Sequence, residues 1–78
     1  MTGQSVRVVA DAIARHLATR PGCADSVKGI QQWWLRPAGV EVPLEVVADA
    51  LRLLEEEKVV ECQRLGAGEI WRLWRGEG

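Results

Sequence analysis

The sequence has no Phe and no Tyr, a single His, and only two Cys, three Pro and one Met in 78 residues. Each shortage excludes a class of protein. The two thiols, Cys23 and Cys62, stand far apart and outside any Cys-x-x-Cys pattern, so neither a disulfide-stapled scaffold nor a zinc ribbon is expected, and a reducing cytoplasmic location is the default. A metal site would need His16, both cysteines and a further ligand gathered by the fold, so no metal and no cofactor are expected. Long apolar runs are also missing: none approaches the ~20 residues of a membrane span, and Met1 to Ser5 has no basic segment leading into an apolar one. Neither a membrane segment nor a signal peptide is expected. Charge of one sign is absent as well, since ten Lys and Arg against eleven Asp and Glu leave a formal net charge of −1, without the excess of a basic nucleic-acid tail.

What is present is 47% hydrophobic and 27% charged residues, the balance of a soluble globular domain. One domain over residues 1–78, with its core over about 5–75, is expected because two cores would each be too small to fold unaided. Val6, Val9, Ala10, Ile13 and Leu17 recur at helical spacing, with Arg7, Asp11 and Arg15 toward the other side and Asp11 one turn from Arg15. The spacing predicts a helix over about 6–20, capped by Ser5 or Thr2 and stopped by Pro21-Gly22, then a short loop. Asp25 or Ser26 caps a second helix whose apolar positions Val27, Ile30 and Trp34 precede Pro37-Ala38-Gly39. Trp34 falls on its core side and Trp33 at the margin, while Gly29 lies opposite and weakens the helix by roughly 1 kcal/mol relative to Ala.

Val40-Glu41-Val42 alternates but is too short to be a strand alone. Pro43 suits the first turn of a third helix over about 43–57, in which Leu44, Val47, Ala50, Leu51 and Leu54 form an apolar arc widened by Val46 and Leu53. This helix should lie at the centre of the core. From Val59 the periodicity drops to about two, predicting a hairpin of strands 59–65 and 69–75 around Gly66-Ala67-Gly68, whose glycines supply positive φ. Apolar groups occur on both faces of the second strand. Arg72, between Ile70 and Trp74, selects Trp71 and Leu73 as the face toward the helices, and Gly76-Glu77-Gly78 should fray.

The order helix, helix, short extended piece, helix, hairpin resembles the winged helix-turn-helix superfamily. The resemblance rests on residues 25–75: the stretch from Val42 to Lys58 with Val47, Leu51 and Leu54, the Val59-Val60 pair that follows, and the Gly66-Ala67-Gly68 turn. With the first helix it covers almost the whole chain, as a pattern without a diagnostic motif. It implies an α+β fold of three helices and a two-stranded wing, and a DNA-binding module whose third helix enters the major groove while the wing touches backbone or minor groove. Charge argues against the DNA part, because phosphate neutralisation by Lys and Arg supplies most non-specific affinity. The polar stripe of the third helix is Glu45, Asp49, Arg52 and Glu56, three acids against one base, and Glu55 and Glu57 add to it. The favourable charges are Arg64, Arg72 and Arg75 on the hairpin, mixed with Glu61 and Glu69, and Arg7, Arg15 and Arg20 against Asp11 near the start.

Catalytic arrangements fare worse. His16 has apolar or Arg neighbours on its helix and no nucleophile beside it; Glu55, Glu56 and Glu57 point about 100° apart and form no acid–base pair. Gly66-Ala67-Gly68 leads into a strand, whereas phosphate-cradling loops lead into a helix N-terminus. No enzyme and no small-molecule substrate are expected. Four Trp supply all the aromatic rings; Trp34 and Trp71 fit the core, and Trp33 and Trp74 are candidates for a partner surface, where Trp is enriched. The sequence therefore leads to a non-enzymatic winged-helix module that binds a protein partner or itself through Trp33, Glu45, Asp49, Arg52, Glu56 and Trp74. The alternative is a small DNA-binding transcriptional regulator using Arg52, Arg64, Arg72 and Arg75.

Overall fold

The structure is a computed structural model and describes residues 2–76. Helix α1 spans Thr2–Thr19, four residues earlier at its start than the apolar spacing marks, and Arg20 N–H closes its last turn on His16 C=O at 2.9 Å. The capping side chains expected at Thr2 and Ser5, and the tail beyond Gly76, lie outside what is described. Val9, Ala10, Ile13 and Leu17 are fully buried, as the helical spacing requires, with Val6 packed partly against them.

The segment after α1, expected as a plain loop, contains a two-residue strand, β1 (Ala24–Asp25), which pairs antiparallel with β3. Ser26 is the cap of the second helix: its Oγ accepts from Gly29 N–H at 3.1 Å, and its own N–H donates to Asp25 Oδ1 at 2.8 Å. This helix, α2, winds as three consecutive pieces. Val27–Gly29 is α-helical, Ile30–Leu35 is a π-helix and Arg36–Ala38 is a 3₁₀ turn. The π segment corrects the apolar pattern read from the sequence. At α-helical pitch Leu35 would stand about 140° from Ile30, but a helix with i→i−5 bonds advances only about 85° per residue, which returns Leu35 to the core side. Ile30 and Leu35 are fully buried and Trp34 is 6% exposed. Burying Leu35 contributes about 2 kcal/mol, enough to hold the poorer hydrogen-bond geometry of the wide turn.

Residues 40–43 form no strand; they cross as an irregular link held by Gln31 Nε2, which donates to Val42 C=O at 2.7 Å. Helix α3 is Leu44–Glu56, and Pro43 sits just outside it as an extended cap residue (φ −65°, ψ 160°), not in its first turn. Val47, Ala50, Leu51 and Leu54 are its buried face. The hairpin strands are β2 (Val60–Leu65) and β3 (Gly68–Leu73), shorter than expected at the outer ends. Leu65 pairs with Gly68, so the loop is Gly66-Ala67, and only Gly66 of the two glycines has positive φ (62°). The sheet order is β1-β3-β2, all antiparallel, so the expected two-stranded wing is two strands of a three-stranded sheet.

The register puts Val60, Cys62 and Arg64 opposite Leu73, Trp71 and Glu69, and Glu61 and Gln63 opposite Arg72 and Ile70. Trp71 is 7% exposed and Leu73 packs against the core, so this face meets the helices as Arg72 suggested. One buried cluster joins α1, α2, α3, Val60 and Trp71. The protein is thus α+β, with three helices on one side of a small antiparallel sheet.

Candidate functional site

The face formed by α3 and the hairpin carries most of the residues singled out from the sequence. Glu45, Asp49, Arg52 and Glu56 are all exposed along one side of α3, where four- and three-residue steps return to the same stripe. Between α3 and the sheet lies a groove of about 380 Å³ lined by Arg52 and Glu55 from the helix and Cys62, Arg64, Glu69 and Trp71 from the strands. Its two guanidinium groups are matched by two carboxylates. Arg64 Nε lies 3.5 Å from Glu69 Oε2, its cross-strand neighbour.

Arg72, a DNA contact in the alternative reading, is half-buried and bound: its Nε donates to Glu61 Oε2 at 2.6 Å across the ladder, on the sheet face away from the helices. Strand pairing makes these two residues direct neighbours, so the ion pair follows from register. Arg52 and Arg75 are exposed and form no ion pair among the described residues. Two of the four candidate phosphate contacts therefore already hold a carboxylate.

The Cys62 thiol is pushed above its ordinary value, first by desolvation and then by Glu69 and Glu55, so it stays protonated and a poor nucleophile or ligand. Cys23 and Cys62 are both free and half-buried, and no cluster of three or more His, Cys, Asp or Glu residues suits a metal ion among the described residues. Trp71 Nε1 is buried without a hydrogen-bond partner. No described helix is long and apolar enough to cross a membrane.

The tryptophans divide as helical spacing and strand alternation suggested, two in the core and two with surface exposed. Trp34 and Trp71 are buried, whereas Trp33 is 69% exposed, the most exposed large apolar side chain among the described residues. Trp74, just beyond the end of β3, is half-buried, so it offers less surface than Trp33.

A second and larger groove, about 470 Å³, lies away from this face, between α1 and the end of α2. Val8, Ala12, Arg15 and His16 line it from α1, and Trp34 forms its floor. His16 stacks on Trp34 with ring centroids 4.5 Å apart and planes 13° from parallel. Desolvation, and secondarily Arg20, holds its pKa below the ordinary 6.5. No sequence signal marked this pairing, because it depends on how two helices cross. Arg7 and Glu57 were likewise unlinked in the sequence, yet they pair at 3.2 Å between α1 and the end of α3; Asp11 approaches Arg7 at 4.0 Å, not the Arg15 one turn on.

Comparison of the chain with protein-family models, with curated proteins and with solved structures finds no match.

Proposed function

We propose that the chain is a non-enzymatic winged-helix module that mediates protein–protein contact or self-association, with Trp33 as the principal anchor and the Glu45, Asp49, Arg52 and Glu56 stripe as a further polar surface. The winged-helix reading is supported by the order of three helices followed by a glycine-turned hairpin, and by Val60 buried directly after α3. The observation that carries the functional reading is the state of the hairpin arginines. Arg64 and Arg72 are engaged by Glu69 and Glu61, and the exposed side of α3 is acidic, so the face a winged helix offers to DNA has little charge free for phosphate. An exposed Trp33 supplies what DNA binding does not need, a large amphipathic ring of the kind that anchors protein interfaces.

A titration with random-sequence duplex DNA at low salt tests this. The expected result is no salt-sensitive binding. Binding that weakens steeply with salt, and is removed by Arg52→Glu with Arg75→Glu, would overturn it in favour of the DNA-binding regulator; the exposed Arg52 and Arg75 are what favour that second reading.

A further inference from the structure

The groove between α1 and α2 combines an apolar centre with a self-complementary charge pattern. Val8, Ala12 and His16 follow at four-residue steps along α1, so they form one stripe, with Val8 52% exposed to solvent. Ala12, the smallest of them, sits at the middle and lets another helix approach closely. Asp11 and Arg15 flank the stripe on one side. Arg15 makes no ion pair among the described residues, and Asp11 has only the long approach of Arg7.

From this geometry we infer that the groove is an isologous dimer interface, in which α1 of a second copy lies antiparallel across Ala12. Two-fold symmetry about Ala12 puts Val8 level with His16 of the second copy, since each lies four residues from the axis, and so sets an exposed apolar side chain over the His16–Trp34 stack. The same operation brings Asp11 to within two residues, about 3 Å of rise, of Arg15 of the second copy, on the same flank, and repeats that contact at the other end. A parallel two-fold arrangement would put the two Asp11–Arg15 flanks on opposite sides of the seam, where neither pair could form. Desolvation holds the stacked His16 below its ordinary 6.5, which favours the uncharged ring that the second copy would cover.

Trp33 does not line this groove, so the inference extends the interaction reading to a different face and stands independently of that anchor.

Sedimentation equilibrium of the whole chain, over micromolar to millimolar concentration, tests it through a charge exchange. Asp11→Arg sets Arg against Arg15, and Arg15→Asp sets Asp against Asp11; each alone should weaken dimerisation by about tenfold, because both symmetry-related pairs are lost. Mixing the two variants should restore association as a heterodimer, which no purely structural role of these exposed residues would produce. Val8→Glu should also dissociate the dimer with an unchanged circular-dichroism spectrum, while Trp33→Ala should leave it intact. A wild-type chain that stays monomeric at millimolar concentration overturns the inference. So does a dimer that ignores Val8→Glu and the charge exchange; if that dimer is lost in Trp33→Ala, the Trp33 reading survives without this one.

Discussion

At the scale of single residues, the two positions that turn the chain out of its helices are a natural experiment. After α2, Gly39 N–H bonds to Arg36 C=O and Val40 N–H to Leu35 C=O, both at 2.9 Å, around a left-handed Gly39 (φ 83°). After α3, Lys58 N–H bonds to Glu55 C=O at 3.0 Å and Val59 N–H to Leu54 C=O at 2.8 Å, around a left-handed Lys58 (φ 61°). Both are the same two-bond helix ending, which satisfies carbonyls the helix would leave unpaired. Only one uses the residue suited to it, since a Cβ in this conformation is strained by about 1 kcal/mol. Lys58→Gly should therefore stabilise the protein by about 0.5–1 kcal/mol, and Gly39→Ala should destabilise it by about 1 kcal/mol, read from urea midpoints. A Lys58→Gly variant less stable than wild type would mean that the lysine side chain contributes more than its backbone strain removes.

At the scale of elements, the sequence conveyed most where one periodicity ran unbroken. The buried faces of α1 and α3 and the inward Trp71 all follow from spacing, because each of these elements keeps a single pitch. The pattern failed where pitch changed: α-helical spacing selected Val27, Ile30 and Trp34 and passed over Leu35, because the π turn has no signature in composition. It failed again at β1, where two residues without β-branching become a strand only because β3 offers them partners. Among the site residues, exposure of Trp33 and of the α3 stripe was legible, whereas the engagement of Arg72 depends on strand register.

Gly29 belongs to this scale too. The sequence marks it as a weak point of a helix, but the Asp25 carboxylate occupies the space its Cβ would need, with Oδ2 at 2.6 Å. The glycine thus lets β1 and the α2 cap close on one another. Gly29→Ala should destabilise the fold in spite of a helix-propensity gain of about 1 kcal/mol, because Asp25 must leave Ser26 N–H. In an Asp25→Ala background the same substitution should become stabilising. Equal effects in both backgrounds would show that the clash is relieved at no cost.

At the scale of the whole molecule, thirteen buried apolar residues among those described hold three helices and the sheet together, and Trp34 and Trp71 each reach from this core into a surface groove. A core this small leaves a narrow margin of stability, so one linked proton is readable. His16, flat against Trp34, has a folded pKa below the 6.5 it takes when unfolded. Between those two values the unfolded chain holds a proton that the folded chain does not. Stability from this group is therefore complete above pH 6.5 and is lost as pH falls through 6.5 toward the folded pKa. Arg20 adds to the effect by opposing a second positive charge.

The thermal midpoint should consequently fall between pH 7.5 and 5.5, a window that stays above the ordinary range of carboxylates near 4. His16→Phe keeps a ring over Trp34 and removes the titration, so its midpoint should change less over the same interval. Working at low micromolar concentration keeps association from contributing to the midpoint. An equal fall in wild type and His16→Phe would place the linked proton elsewhere. A smaller fall in the variant would locate the acid sensitivity of the fold at the α1–α2 groove.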